Sequence, residues 1–248
     1  MKLLISAGSH IGQRKNNEDA FLYDAAQGLF VVADGMGGYE GGEVASELVV
    51  HSLLDFVTHS AMYNDSDVAD QEDIERQATR LLDLGIRFAN REVASQRKAR
   101  LAQMGSTVVA AIIRQGMLVV GHVGDSRAYC YRRGELRALT QDHSLYTELK
   151  LAAGDDPHAY VDYGETGHVL TRAIGVPGMC LPDLASYPLE SGDTFVLCTD
   201  GLSDALPDAR IAEALDACGA APNAETLIAA ALEADADDNV TAIVIHCI

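Results

Sequence analysis

Short apolar runs separated by polar turns recur along most of the chain, and this pattern predicts β-strands. Turn signals such as Arg133-Gly134 separate neighbouring runs. The predicted strands are 3–7, 20–23, 29–33, 107–113, 117–122, 127–131, 136–139, 181–187, 194–198 and 240–247.

Apolar side chains fall at helical spacing elsewhere, as they do at Val44, Leu48 and Val49 in the segment 43–58. Asn223 is suited to begin the last helix as its N-cap. The predicted helices are 43–58, 72–98, 144–153, 208–217 and 223–234. The stretches 59–71 and 154–168 are polar and aperiodic, and we expect loops there.

The order of these elements indicates the fold class. Strands and helices do not alternate regularly, and neither a linker nor an internal repeat divides the chain. We therefore expect one domain over residues 1–248, of the α+β class, in which antiparallel sheet is covered by helices.

Charge narrows the range of partners. Against 18 Lys and Arg stand 37 Asp and Glu, which gives a formal net charge of −19. Such a surface repels nucleic-acid phosphates and anionic lipid heads but suits cations. We expect no nucleic acid and no membrane among the partners, and a monomer.

The five cysteines are widely spaced, without a Cys-x-x-Cys pair, so neither a disulfide framework nor a thiolate zinc site is predicted. The apolar stretch at the N-terminus is too short for a signal peptide, and no run approaches the ~18 apolar residues of a membrane span. A reducing, cytoplasmic location is the simplest expectation.

Four aspartates lie at the ends of predicted strands: Asp34, Asp125, Asp200 and Asp238. Carboxylates at strand ends can converge on one hard cation, and glycines beside them allow a close backbone approach. No His lies within the short motifs around these aspartates, and no Cys is near enough to add a soft ligand, which favours Mg²⁺ or Mn²⁺ over Zn²⁺. For any single one of them taken alone, a solvated turn carboxylate is the simpler interpretation.

Taken in order, eight short motifs resemble those of the metal-dependent Ser/Thr protein phosphatases, the protein phosphatase 2C or PPM family, in its compact bacterial form. The resemblance extends from Arg14 to Thr241 and implies a four-layer αββα sandwich. The motifs are RKNNED at 14–19, DGMGG at 34–38, GST at 105–107, GDSR at 124–127, LTQDHS at 139–144, LTRAIG at 170–175, TDGL at 199–202 and DNVT at 238–241.

The resemblance also implies a role for each carboxylate in the motifs. It implies that Asp34 bridges two Mn²⁺ or Mg²⁺ ions, with the Gly35 carbonyl beside it. Asp200 and Asp238 are similar to ligands of the first ion, and Glu18 to a ligand of the second, partly through water.

Three further residues complete the implied site. Asp19 matches a carboxylate that holds metal-bound water, and Asp125 with Asp200 resembles the third-metal site of bacterial members. Arg14 is expected to bind two phosphate oxygens with its planar fork. A surface ion pair between Arg14 and Glu18, four residues on, is the alternative.

By this resemblance, a water shared by the two cations attacks phosphorus in line, and no covalent phosphoenzyme forms. The identity of the proton donor to the leaving alcohol stays open. Met36 stands where eukaryotic members carry a histidine, which leaves a metal-bound water as the first candidate, with His143 and His122 as others.

Residues 145–170 fall where the family has its flap, a segment beside the metal site that differs between members. It carries Tyr146, Asp155, Asp156, His158, Tyr160 and Tyr163. The segment is either the place where substrate is selected or a plain surface loop.

The expected function is hydrolysis of phosphoserine and phosphothreonine on proteins, opposing a cognate bacterial Ser/Thr kinase. A silent relative that binds phosphopeptides is the alternative from another class. A hydrolase of small phosphate esters or nucleotides is disfavoured, because no glycine-rich P-loop is present.

Overall fold

The computed structural model describes residues 1–37, 41–61, 70–154, 163–219 and 221–248, and eleven β-strands lie within those ranges. In chain order they are β1 Leu3–His10, β2 Asp19–Asp24, β3 Leu29–Met36, β4 Gly105–Ser106, β5 Val108–Arg114, β6 Met117–Val123, β7 Arg127–Arg132, β8 Glu135–Ala138, β9 Asp183–Pro188, β10 Thr194–Cys198 and β11 Val240–Cys247.

The strands form two antiparallel sheets. One has the order β1-β11-β10-β7-β8, and the other has the order β2-β3-β5-β6-β9. The two-residue strand β4 pairs with the end of β3, opposite Gly35 and Met36.

Seven α-helices lie in the described part of the chain. They are α1 Gly41–Ala61, α2 Gln71–Gln96, α3 Leu145–Ala153, α4 Tyr163–Thr166, α5 Asp200–Ser203, α6 Asp208–Ala217 and α7 Ala224–Glu233. Asn223 is the N-cap of α7, as predicted, because its side-chain oxygen accepts a hydrogen bond from the Thr226 N–H at 2.9 Å. No helix of the described ranges is both long and apolar enough to cross a bilayer.

Alternate residues of the central strands pack on opposite sides of each sheet. In β3, Phe30 belongs to the apolar layer between the sheets, whereas Val31 packs with α1 and α2. In β11, Ile243 faces the layer between the sheets and Val244 packs with α6 and α7. All four are fully buried, so both faces of both sheets are covered. The α+β class and the four-layer αββα sandwich are thereby confirmed.

Boundaries differ from the predicted ones at several elements. Helix α1 runs to Ala61, so the predicted loop 59–71 begins inside it, and residues 62–69 lie outside the described ones. Strand β4 and helices α4 and α5 were not predicted, because two to four residues are too few to show a period.

Antiparallel pairing brings the strand ends that carry the aspartates together. Asp34 near the end of β3 lies opposite Asp19 at the start of β2. In the other sheet, the end of β10 lies beside the start of β11, where the Thr199 N–H donates to the Thr241 carbonyl at 3.1 Å. Because the sheets pack face to face, both pairs of strand ends meet at one end of the sandwich.

Candidate metal centre and active site

An open cleft of about 830 Å³ lies at this end of the sandwich. Its lining includes the basic residues Arg14 and Lys15 and the apolar residues Met36, Val176 and Met179. The carboxylates that line it are Glu18, Asp34, Asp125, Asp200 and Asp238, and the Gly35 backbone is beside them. Of the predicted site residues, only Asp19 is not part of the lining.

Asp34 is held by its backbone at the end of β3. Its N–H donates to Thr107 Oγ1 at 3.0 Å, and its carbonyl accepts from the Thr107 N–H at 2.8 Å and from Ser106 Oγ at 2.9 Å. Burial, together with the charges of Asp200 and Asp19, raises the pKa of the Asp34 carboxyl well above its usual range. The backbone of Asp34 is therefore fixed, and its buried carboxylate is unfavourable unless positive charge lies beside it.

Asp19 lies between the strand ends of the two sheets, opposite Asp34 and next to Thr199. The Thr199 hydroxyl donates to Asp19 Oδ2 at 2.8 Å. Burial raises the pKa of Asp19 to about 7 in spite of this hydrogen bond. Sequence reasoning missed Thr199, which joins the start of β2 to the end of β10.

Asp200 begins the short helix α5. Its Oδ1 atom is buried and has no hydrogen-bond partner in the described part of the chain. Burial, with the charges of Asp204 and Asp238, raises the pKa of Asp200 to about 6. A buried carboxylate oxygen without a donor is costly unless a cation binds it.

Asp125 follows β6 and is 9% exposed. Burial and the charges of Asp200 and Asp142 raise its pKa well above the usual range. Asp125 and Asp200 are therefore close enough for their charges to affect each other.

Close backbone packing explains the glycines of the site. A Cβ atom on Gly35 would collide with the carbonyl oxygen of Gly42, and one on Gly42 would collide with the Glu18 carboxylate. The Gly35 N–H donates to the Glu18 carbonyl at 3.0 Å. These contacts bring the start of α1 against β3 and leave the Glu18 carboxylate beside the cleft.

Asn239 connects the last motif to the first. Its side-chain oxygen accepts from the Glu18 N–H at 2.7 Å, and its Nδ2 donates to the carbonyls of Ile11 at 2.8 Å and Asn16 at 2.9 Å. Burial raises the pKa of Glu18, Arg14 lowers it and Asp238 raises it again, with a net upward result. The Asn of the DNVT motif therefore orders the Glu18 loop, a role that the sequence alone did not indicate.

Arg14 does not pair with Glu18. Its Nη2 donates to Asp238 Oδ2 at 2.7 Å, and its Nε donates to the Asp237 carbonyl at 3.1 Å. The alternative prediction, an ion pair with Glu18, is thus wrong: the carboxylate partner of Arg14 is Asp238, 224 residues away in the sequence. Arg14 is 56% exposed and lines the cleft, so it also stands where a ligand can reach it.

The positions of the histidines bear on the identity of the proton donor. Neither His122 nor His143 lines the cleft; both are buried, with ring centroids 4.4 Å apart. His168, which sequence reasoning missed, does line it, with Nδ1 at 3.6 Å from Asp204 Oδ2. Ligand atoms of His168, Asp200 and Asp204 lie within 4.8 Å of one another, so an imidazole stands beside the oxygen donors.

The predicted flap, 145–170, is described in part. Helix α3 ends before Gly154, and a bridge between Ser144 and Leu170 closes the base of the segment. Leu170 and His168 line the cleft, so the base of the segment borders the site. Of the side chains named above, those at 155, 156, 158, 160 and 163 lie outside the described ones.

The donor set fits divalent cations that prefer oxygen. Burial and mutual repulsion raise the pKa of Glu18, Asp19, Asp34, Asp125 and Asp200. Bound positive charge would relieve that repulsion and supply the partner that the orphaned Asp200 oxygen lacks. Carboxylate and carbonyl oxygens suit Mg²⁺ and Mn²⁺.

A family model described as "Protein phosphatase 2C" matches residues 8–234 of the chain. The matched range includes every predicted site residue except Asp238. The serine/threonine phosphatase stp of Listeria innocua is 34% identical over 239 residues, which cover 94% of this chain and 91% of that protein.

Solved structures share the whole fold. The serine/threonine phosphatase PstP/Ppp of Mycobacterium tuberculosis superimposes with a TM-score of 0.81 at 32% identity, covering 99% of this chain and 98% of that one. A PstP catalytic domain in complex with two manganese ions gives a TM-score of 0.80 at 34% identity, covering 98% of this chain and 97% of the other.

Proposed function

This chain belongs to the protein phosphatase 2C family and is a metal-dependent serine/threonine phosphatase, and on that basis we propose which residues hold the cations and bind the phosphate group. Glu18, Asp34, the Gly35 carbonyl, Asp200 and Asp238 hold two Mn²⁺ or Mg²⁺ ions in the cleft. The observation that carries this assignment is the buried Oδ1 of Asp200, for which the described residues offer no donor.

Two further carboxylates belong to the proposed site. Asp19, held by Thr199 opposite Asp34, orients water beside the cations. Asp125, buried next to Asp200, completes a position for a third cation.

When bound, two such cations would supply hydroxide near neutral pH and would offset charge on the phosphate oxygens, which is the chemistry of direct hydrolysis. The chain's own contribution is orientation. Thr107 and Ser106 fix Asp34 through its backbone, and Asn239 fixes the Glu18 loop.

We propose that Arg14 binds the phosphate group. Its fork lies at the cleft and donates to Asp238 and to one loop carbonyl. Two phosphate oxygens can replace these acceptors at the planar guanidinium in a bidentate arrangement. Asp238 is then released from Arg14 and is available to a cation.

We further propose the cellular setting. Phosphorylated proteins are the substrates, so a Ser/Thr kinase must supply them. Free cysteines at all five positions support a reducing, cytoplasmic location. The family match over 8–234 supports one phosphatase domain over residues 1–248. The formal net charge of −19, which makes like chains repel one another, supports a monomer.

The test is release of phosphate from a phosphothreonine peptide by purified protein in Mn²⁺, Mg²⁺ or EDTA. Asp34→Asn and Asp238→Asn remove one proposed ligand each. Asp237→Asn is the matched control, because that side chain is exposed and adjacent to Asp238. We expect release with either metal, none in EDTA, and loss in the two ligand variants but not in the control.

Two outcomes would contradict the assignment. Unchanged activity in Asp34→Asn or Asp238→Asn would show that these carboxylates do not hold the cations. Folded wild-type protein that binds Mn²⁺ and the phosphopeptide but releases no phosphate would indicate a binding module.

A further inference from the structure

His143 lies outside the cleft, yet it holds the turn that carries Asp125. Its backbone N–H donates to the Gly124 carbonyl at 2.9 Å, and its Nδ1 accepts from the Gly124 N–H at 3.1 Å. Both backbone hydrogen-bonding groups of Gly124 are therefore satisfied by one residue, which is itself only 5% exposed.

The opposite side of the same turn is connected to Asp34. Ser126 Oγ lies 2.7 Å from Thr107 Oγ1, the oxygen that accepts from the Asp34 N–H. Gly124 has φ +106°, and a Cβ atom there would lie 2.7 Å from the Thr107 side chain. Only glycine fits at position 124, because the turn is packed between Thr107 and His143.

The ring of His143 has a defined tautomer. Since Nδ1 accepts from Gly124, the proton of the neutral ring is assigned to Nε2, which lies 3.1 Å from both Asp183 Oδ2 and Arg172 Nη1. Burial, reinforced by the neighbouring His122, lowers the pKa of His143 to about 4, which keeps the ring neutral. Arg172 Nη1 donates to Asp183 Oδ1 at 2.8 Å and keeps that carboxylate in place.

This cluster is not a second metal site. Ligand atoms of His122, His143 and Asp183 lie within 4.8 Å of one another. However, the His122 Nε2 hydrogen-bonds the Gln141 carbonyl at 2.8 Å, and the Arg172 guanidinium already supplies the positive charge beside Asp183. The cluster serves to orient the His143 ring.

His143 also reaches the base of the flap. Its carbonyl accepts from the Thr171 N–H at 2.9 Å. The next residue, Ser144, caps α3 and bridges to Leu170, which lines the cleft. One residue therefore contacts both the Asp125 turn and the two chain segments where the flap begins and ends.

We propose that His143 is a positioning residue for the third cation site: its two hydrogen bonds to Gly124 set the position of Asp125 relative to Asp200 and tie that turn to the base of the flap. This inference rests on the proposed role of Asp125. It predicts that His143 affects the third cation and not the two held by Asp34.

The test compares His143→Asn with His143→Gln by calorimetric titration of Mn²⁺ and by hydrolysis of p-nitrophenyl phosphate. The side-chain oxygen of asparagine lies close to the position of Nδ1 and can accept the hydrogen bond from the Gly124 N–H. The amide group of glutamine lies at the position of Nε2 and leaves that N–H without its acceptor. We expect His143→Gln to weaken Mn²⁺ binding at the weakest site about tenfold and to leave the two tighter sites unchanged. In the kinetic assay, kcat should fall while KM changes little. His143→Asn should stay close to wild type.

His246→Gln is the control, because that ring is also hydrogen-bonded but lies on β11, away from the cleft. Three outcomes would each overturn the proposal. The two His143 variants could behave equally, or a variant could lose all Mn²⁺ sites together with a lower melting temperature. The third is a wild type without a third, weaker Mn²⁺ site. A wild type that binds three Mn²⁺ but hydrolyses nothing would refute the catalytic assignment, while the calorimetric comparison would still decide the role of His143.

Discussion

Replacing Asp200 with asparagine should stabilise the metal-free protein at pH 8 while reducing its stabilisation by metal. In the folded chain, burial and the charges of Asp204 and Asp238 raise the pKa of Asp200 from 3.8 to about 6. The folded state therefore binds more protons than the unfolded state between these values. The stability that this group contributes is present below pH 3.8 and is lost as the pH rises through about 6.

The size of the effect follows from the same pKa. Each pH unit between the folded and unfolded values is worth about 1.4 kcal/mol, so keeping Asp200 ionised without a cation costs about 3 kcal/mol. An asparagine carries no charge, and at pH 8 the metal-free Asp200→Asn variant should exceed the wild type by about that much in free energy of unfolding.

The assay is urea unfolding in EDTA at pH 5 and pH 8, repeated with saturating Mn²⁺. We expect wild-type stability in EDTA to fall from pH 5 to pH 8 and to be regained with Mn²⁺, because the cation binds only the folded cluster. Asp237→Asn should behave as the wild type does. A metal-free Asp200→Asn variant that is no more stable than wild type at pH 8 would refute the argument that this carboxylate is held at a cost for a cation.

Three other substitutions test the surroundings of the site. Asn239→Ala removes three hydrogen bonds of the Glu18 loop and should lower kcat about tenfold at saturating Mn²⁺; unchanged steady-state kinetics would contradict this. Gly124→Ala puts a Cβ atom at φ +106° against Thr107 and should lower the free energy of unfolding by about 1–3 kcal/mol in urea melts. Asn223→Ala removes the α7 cap and should cost about 1 kcal/mol in the same assay, with kcat unaffected, since the cap is remote from the cleft.

Much of the secondary structure could be predicted because buried faces require apolar residues at regular spacing along the chain. Strands β10 and β11 have the predicted limits, 194–198 and 240–247, since both of their faces are buried and polar residues bound each run. Helix α2 was predicted over 72–98 from the apolar side chains along one of its faces, and it ends at Gln96, two residues before the predicted end. The short elements β4 and α5 depend on contacts with distant residues, and no local period marks them.

For the site, the sequence alone determined the residue types and their order: carboxylates at strand ends, glycines beside them and the motif order of a metal-dependent phosphatase. Which atoms meet was decided only by the tertiary structure. Arg14 binds Asp238 and not Glu18, because the chain around Arg14 is a turn and not a helix, so residues four apart do not face each other. The hydrogen bonds of Asn239 to the Glu18 loop and of His143 to Gly124 could not be predicted either. Such bonds between remote segments depend on how the strands pair and the sheets pack, and the local pattern of residues does not show this.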